Sequence, residues 1–431
     1  MRLTTIGLAV LILLAGATEA QARRGRNRLK ELTKNELVVR LAPGTDAQKF
    51  ARDYRVKVIS QGTGSGRYRV KMRNTRDAAR LLAKRLQDTR IISADKNLPA
   101  PSPPGEQAQW TTAFDGDRGP RAYDGQLAIG QVRFTQAPTL ADGAGVTVAV
   151  LDTGISRRHP HLAAQTVEGW NFVDDNADTD DRPYQLDLDG DRVRDEGLGH
   201  GTVVAGLIAR FAPKATLLPV RVLNSEGMGT VWDAVRGIEY AISKGARVLN
   251  LSFGVQERSE ILEDAIKEAE DAGVLIITTA GNHASSRPQY PAKYSHVVAV
   301  GAVNADDSRA KFSNFGSDVD IYAPGVDVVS TFWDGTYVAW SGTSFAAPMV
   351  SGTAALILSR NPGLSLEDVG DLIEDTARRA EAARSLRRGR GGDDGGNSGP
   401  GGGDRTEILD VDSAVTAAIN GGGDDDDEDD D

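Results

Sequence analysis

Apolar positions along the chain change period once they leave the N-terminal quarter, and the change separates two architectures. Between residues 36 and 92 they form short alternating runs. Residues 36–41 (Glu-Leu-Val-Val-Arg-Leu), 56–59 and 68–72 alternate as half-buried strands do. Residues 45–53 suit a helix, and 75–87 place Ala78, Leu81, Leu82 and Leu86 on one helical face. Ile91-Ile92 closes the series. The order β-α-β-β-α-β is the split βαβ, ferredoxin-like plan. A unit of roughly 65 residues is marginal on its own. Four prolines between 99 and 105 follow, then a Gly- and Asp-containing stretch to Tyr123, a linker by composition.

From about residue 124 the runs are apolar on both faces: 146–151, 216–222, 248–251, 274–279 and 297–300. Such strands suit a parallel sheet covered on both sides. Helical patterns lie between them. One spans 200–210. Another spans 231–244, with apolar residues at 231, 234, 235, 238, 241 and 242 and Gly245 as its stop. A third spans 259–272, with Ile261, Leu262, Ala265, Ile266 and Ala269, stopped by Gly273. Residues 349–358 read as a buried helix, and 408–419 regain helical spacing. The expected fold class is α/β, a doubly wound and mainly parallel sheet, preceded by a small ferredoxin-like α+β domain.

The ends have their own composition. Residues 1–22 combine a basic start (Arg2), an apolar core over 6–15 and small residues at Ala15-Gly16-Ala17 and Ala20-Gln21-Ala22. This is the pattern of a secretory signal peptide, too short to span a bilayer comfortably. The expectation is a secreted protein, extracellular or periplasmic, with no membrane span after signal removal. Residues 387–405 are a Gly-, Arg- and Asp-rich insertion, and 421–431 end in eight acidic residues, a disordered tail by composition.

Composition narrows the chemistry. There is no cysteine, which excludes disulfides, thiolate zinc sites and a cysteine nucleophile. The net charge of −11 is unevenly placed: residues 23–97 hold 21 basic and 7 acidic side chains, residues 98–431 hold 28 and 53. A basic arm can mean nucleic acid. Opposite charges on two parts of one chain more economically mean that the parts dock, and no nucleic-acid partner is expected.

Candidate functional residues sit where strands end and helices begin, the place where open α/β sheets put their ligands. Ser344 lies in Ser341-Gly342-Thr343-Ser344-Phe345-Ala346-Ala347-Pro348, at the start of a helix. Its plainest reading is a cap, yet a helix N-terminus also favours a developing anion. Asp152 ends a strand in Ala149-Val150-Leu151-Asp152-Thr153-Gly154, where Asp is most often a turn former. His200, one of five histidines, opens a helix between Gly199 and Gly201. Asn282 follows Thr279-Ala280-Gly281 at another strand end. A phosphate cradle fails on position, because Gly143-Ala144-Gly145 precedes its strand.

Taken together, Val150-Leu151-Asp152-Thr153-Gly154, His200-Gly201-Thr202 with Val204-Ala205-Gly206, and Gly342-Thr343-Ser344-Phe345-Ala346-Ala347-Pro348 resemble the three blocks of the subtilisin-like serine proteases. The order Asp, His, Ser is that family's order. The resemblance implies a serine endopeptidase with Ser344 as nucleophile, His200 as base, Asp152 as its orienting acid and Asn282 in the oxyanion hole. It implies that Ser252-Phe253-Gly254 and Gly227-Met228-Gly229 flank an extended polypeptide substrate, with Ala280 and Gly281 at the same site. It also makes 23–110 an inhibitory propeptide (core 36–97, linker 98–110) and 111–420 the catalytic domain, in a self-processed zymogen acting as a monomer. The cut is expected between Gly105 and Asp115, because a bond before proline is a poor cleavage point. The loop from His283 to Pro288 looks shorter than in the best-known members, and it carries His283 and Arg287 where they build a pocket wall. Residue preference therefore does not transfer. His159, in Arg158-His159-Pro160-His161, matches a structural turn of the family, and His296 precedes a strand. The stretch 187–196 resembles a calcium loop, with Asp187, Asp189, Asp191, Asp195 and Glu196 as candidate ligands and Gly190 for the turn. It lacks full EF-hand spacing, and a solvated acidic loop is the other reading; the chemistry itself requires no cofactor. A catalytically silent binding protein on the same fold is the alternative function, and the complete set of Asp152, His200, Asn282 and Ser344 argues against it.

Overall fold

The computed structural model describes residues 33–62, 64–85, 87–102, 119–187, 193–380 and 406–420. The expected leader, the Gly-rich insertion and the acidic tail lie outside them, as does Leu86. The N-terminal unit runs β1 (Glu36–Leu41), α1 (Ala47–Tyr54), β2 (Lys57–Gln61), β3 (Arg67–Lys71), α2 (Thr75–Lys84), β4 (Ile91–Lys96). Local chemistry starts both helices: Asp46 accepts from the Gln48 and Lys49 N–H groups, and Asn74 from that of Asp77. The strands form an antiparallel sheet in the order β2-β3-β1-β4. Alternation divides its faces. Leu37, Val39, Leu41 and Val70 pack with Phe50 and Leu81 beneath the helices. Val38, Arg40 and Arg67 face the larger domain.

The larger domain is built on a nine-stranded sheet. Its strands are β6 (Thr147–Asp152), β7 (Trp170–Asn171), β8 (Thr216–Arg221), β10 (Val248–Leu251), β11 (Leu275–Thr279), β12 (Val298–Val303), β13 (Ile321–Pro324), β16 (Arg378–Arg379) and β17 (Glu407–Ile408), in the order β16-β17-β13-β12-β11-β10-β6-β8-β7. Every pair from β17 to β7 is parallel, and β16 pairs antiparallel with β17. On one face lie α3 (His200–Phe211), α6 (Thr343–Arg360) and α8 (Val411–Asn420); on the other lie α4 (Val231–Ser243) and α5 (Glu260–Asp271). Strand β6 shows why such runs are apolar throughout: Val148 and Val150 enter the core with α3 and α6, while Ala149 and Leu151 enter the core with α4 and α5.

The two units meet across polar contacts. Arg67, fully buried, donates to Glu239 on α4 and Glu268 on α5 at 2.7 Å each. Arg40 pairs with Glu268 at 2.6 Å and Arg85 with Glu260 at 2.6 Å. Asp95 accepts from the Ile261 N–H at 3.0 Å and Asn97 from the Trp232 N–H at 3.0 Å. Both partners lie in the first turn of a helix, where donors lack intrahelical acceptors. The N-terminal unit thus caps α4 and α5 while its arginines engage their acidic side chains.

One stretch departs from expectation. Pro99–Pro101, read as linker, is a strand, β5, antiparallel to β9 (Met228–Thr230). The Val231 N–H donates to the Leu98 carbonyl and the Ser102 N–H to the Gly227 carbonyl. With a period of two, residues 98, 100 and 102 face this ladder, so prolines at 99 and 101 cost it no donor. Apart from α6, the elements between 304 and 410 are ones the apolar pattern does not predict: the hairpin of β14 (Val328–Thr331) and β15 (Tyr337–Trp340), the short β13, β16 and β17, and α7 (Leu366–Asp375), opened by a capping box of Ser365 and Asp368.

Arg67→Met leaves Glu239 and Glu268 without their shared cation and should weaken docking of the N-terminal unit by about 3 kcal/mol. Native-state hydrogen exchange of the full chain is the check: β1 and β3 amides should exchange faster while β10 and β11 stay protected. Unchanged exchange in β1 and β3 would show that the apolar contacts suffice.

Candidate active site

Three adjacent parallel strands deliver the candidate residues to one edge. β6 ends at Asp152, β10 runs into Ser252-Phe253-Gly254, and β11 runs into Ala280-Gly281-Asn282. Helices α3 and α6 start at the same edge with His200 and Thr343-Ser344. This is the carboxyl end of the sheet, where neighbouring strands diverge into loops and leave a crevice.

His200 Nδ1 lies 2.7 Å from Asp152 Oδ1, with both side chains buried. The Thr153 N–H donates to the same oxygen at 2.7 Å. An ionised carboxylate only accepts, so Nδ1 carries the proton and Nε2 is the basic nitrogen. Phe345, next to Ser344, packs on the imidazole at 5.6 Å between ring centroids.

Ser344 is fully buried in the first turn of α6, its Oγ 3.4 Å from the Ser252 carbonyl. Gly342 at the cap offers no side chain. Asn282 serves instead: its Oδ1 accepts from the Thr343 N–H at 3.0 Å and hydroxyl at 2.8 Å. With the carbonyl end so engaged, the amide can present only Nδ2 on its other side. The Thr343 hydroxyl also accepts from the Gly281 N–H at 3.2 Å and meets that of Thr279, joining β11 to α6. Pro348, inside α6, has no N–H for the carbonyl four residues back, which is that of Ser344. Ser252 Oγ lies 3.4 Å from that carbonyl and donates to it. A buried chain backs it, with Asn250 donating to Ser252 at 2.8 Å and Ser351 to Asn250 at 2.9 Å.

The expected substrate-flanking segments are both engaged by the chain's own residues. Gly227, Met228 and Gly229 face residues 100–102, and the Gly254 N–H donates to the Pro101 carbonyl at 3.1 Å. The stretch Leu98 to Ser102 therefore runs between them as a middle strand. Asn314, which the sequence did not single out, holds the loop after Asn282: its Oδ1 accepts from the His283 and Ser285 N–H groups at 3.0 Å each, and its Nδ2 donates to the Ala280 carbonyl at 2.8 Å. Its separation from that loop left no local signal. His159 Nδ1 accepts from the His161 N–H at 3.3 Å, and burial pushes its pKa down to about 4, as a structural histidine requires. His296 pairs with Glu270 at 2.7 Å.

Of the candidate calcium ligands, the structure describes Asp187, Asp195 and Glu196. Asp189 and Asp191 lie outside the described residues, among which no three His, Asp or Glu side chains form a metal-binding group. Asp195 does not fit the role. It is buried, and its oxygens accept from the Tyr184, Gln185 and Leu186 N–H groups and the Ser225 hydroxyl. Lone pairs committed to four donors shape a loop rather than hold a cation. No step of the chemistry is assigned to a metal.

Comparison with known proteins gives a family and a fold. The subtilase family model matches residues 143–398. Thermitase of Thermoactinomyces vulgaris is 39% identical over 258 residues, covering 57% of this chain and 86% of thermitase. Subtilisin DY of Bacillus licheniformis is 40% identical over 248 residues, covering 54% and 84%. The crystal structure of a cold adapted subtilisin-like serine proteinase matches with a TM-score of 0.53 at 33% identity, over 63% of this chain and 90% of its own. Fervidolysin from Fervidobacterium pennivorans, a keratinolytic enzyme related to subtilisin, matches with a TM-score of 0.70 over 89% of this chain and 61% of its own; at 24% identity the likeness is one of fold.

Asp195→Ala deprives three N–H groups and a hydroxyl of their acceptor and should lower Tm by about 5 °C in calcium and in EDTA alike. A wild-type Tm that falls with EDTA, and no longer does so in the variant, would make Asp195 a metal ligand instead.

Proposed function

The chain belongs to the subtilase family and is a subtilisin-like serine endopeptidase; from its site we propose how it cleaves peptides and how its N-terminal unit restrains it. The observation that carries the mechanism is the buried 2.7 Å contact between Asp152 and His200 at the sheet edge shared with Asn282 and Ser344. Ser344 Oγ attacks the scissile carbonyl carbon as His200 Nε2 takes its proton. Asp152 keeps Nδ1 protonated and stabilises the imidazolium. The oxyanion is received by Asn282 Nδ2 and the Ser344 N–H, the latter at a helix N-terminus. His200 then protonates the leaving amine. Water, deprotonated by His200, attacks the acyl-enzyme and frees Ser344.

The substrate is an extended polypeptide held by β-augmentation between Gly227-Met228-Gly229 and Ser252-Phe253-Gly254. The strand at Leu98 to Ser102, bonded to both segments, supports that reading. It also supports the reading of residues 23–110 as an intramolecular inhibitor, since a peptide substrate would compete for the same hydrogen bonds. The protein is secreted on a cleaved leader, residues 1–22, and processes itself between Gly105 and Asp115. What supports secretion is the basic start, apolar core and small-residue sites of that leader.

Intact mass and peptide hydrolysis, measured side by side on wild type and Ser344→Ala, test this reading. Wild type should lose about its first hundred residues and cleave peptides, while Ser344→Ala stays at full length and inert. Cleavage by Ser344→Ala would refute the assignment of the nucleophile. For the oxyanion hole, Asn282→Leu should lower kcat about 10²- to 10³-fold with little change in KM; an equal loss in binding and none in kcat would remove Asn282 from that role.

A further inference from the structure

We propose that Asp181 is a positioning residue for His200: its carboxylate supplies the N-terminal cap that α3 lacks and locks the first turn of that helix to the loop after Asp152. This rests on the catalytic reading of His200 and Asp152 above.

Helix α3 begins with His200 and has Gly199 at its cap, in the left-handed region at φ +88° and with no side-chain acceptor. Its first donors nonetheless find partners. Asp181 Oδ1 accepts from the Gly199 N–H at 3.1 Å, and Oδ2 from the Thr202 N–H at 3.2 Å and hydroxyl at 2.8 Å. A carboxylate thus caps the helix from 18 residues before Gly199. Asp181 is 1% exposed, so these bonds are shielded from competing water.

The same contacts reach Asp152. The Thr202 hydroxyl, donating to Asp181, accepts from the Ser156 N–H at 3.0 Å. Thr153 Oγ1 accepts from the Gly201 N–H at 2.9 Å, and the Thr179 carbonyl from the Ile155 N–H at 3.0 Å. Three segments are stitched together: 153–156 after Asp152, 179–181, and the first turn of α3. They pack backbone on backbone. A Cβ at Gly201 would stand 2.2 Å from the Gly154 carbonyl oxygen, and one at Gly154 2.4 Å from that of Thr179. At these two close approaches the backbones leave no room to absorb a shift, so loosening the cap moves His200 relative to Asp152.

Charge adds a second effect. His200 occupies a helix N-terminus, whose positive field opposes formation of the imidazolium. A carboxylate bonded to that same turn offsets the field. The other charged groups around Asp181 are Asp152 on β6, which opposes its ionisation, and Arg221 on β8, which favours it; burial raises its pKa to about 6. At neutral pH the group is therefore an anion that counts toward the balance at His200.

The test is steady-state peptide hydrolysis from pH 5 to 9 by wild type, Asp181→Asn and Thr202→Val, each normalised by active-site titration with a serine-reactive phosphonate so that only folded enzyme is counted. Asp181→Asn should lower kcat about 10- to 100-fold with KM nearly unchanged. Its acid limb should move down by about half a pH unit, since a lost anion disfavours the imidazolium. Thr202→Val, which keeps the charge but breaks the tie to Ser156, should lower kcat without moving the limb. The His200 titration followed by NMR in Ser344→Ala, with and without Asp181→Asn, gives a readout independent of turnover. An unchanged His200 pKa together with an unchanged kcat in Asp181→Asn would overturn the proposal. Wild type that does not cleave peptides would instead refute the catalytic reading, leaving the NMR comparison to judge the cap.

Discussion

The hydrogen bond between Asp152 and His200 is the constraint on which the rest of the molecule depends. At 2.7 Å it joins residues 48 apart in sequence, and neither holds its place by local structure alone. Asp152 is fixed because β6 is a central strand between β10 and β8. His200 is fixed because α3 packs along its length against α6 and β14 in one apolar core. A base and its acid, the roles proposed for His200 and Asp152, must be positioned to a fraction of an ångström. A sheet edge crossed by two packed helix starts meets that need better than a loop would.

Ser344 and Asn282 obey the same logic. Each sits where regular hydrogen bonding stops, so each borrows its partners from a neighbour. Asn282 accepts from the first residue of α6; the Ser344 carbonyl, deprived of an α-helical partner by Pro348, accepts from Ser252. The site thereby binds β10, β11 and α6 into one unit. Its polar atoms are shielded within the protein, where each hydrogen bond is stronger and each missing one more costly.

Docking of the N-terminal unit follows from charge and backbone geometry together. The basic N-terminal unit meets acidic side chains on α4 and α5, with Arg67 buried between two of them. Its own acceptors, Asp95 and Asn97, finish the first turns of these helices. That docking carries the chain into the groove as β5. Electrostatic complementarity sets the approach, and backbone pairing sets the register.

Much of this was legible in the order of residues. Alternating runs at 36–41 and 68–72 marked half-buried strands, and runs apolar on both faces marked a covered parallel sheet, because side-chain period reports directly on which faces meet water. The three blocks around Asp152, His200 and Ser344, which the structure brings to one sheet edge, were legible because glycines and strand ends can be recognised without knowing what lies opposite. The proline stretch at 99–101 misled, because its pairing rests on Gly227 to Thr230 and not on its own composition. Asp181, Asn314 and Arg67 left no local trace. Their partners lie 18 to 201 residues away, and whether a buried acid caps a distant helix is settled only when the sheet has closed and the chain between has found its path. The sequence determined which elements form and where reactive side chains sit along them. Tertiary structure decided which polar groups meet, because burial turns an ordinary Asp or Arg into a fixed partner only where packing excludes water.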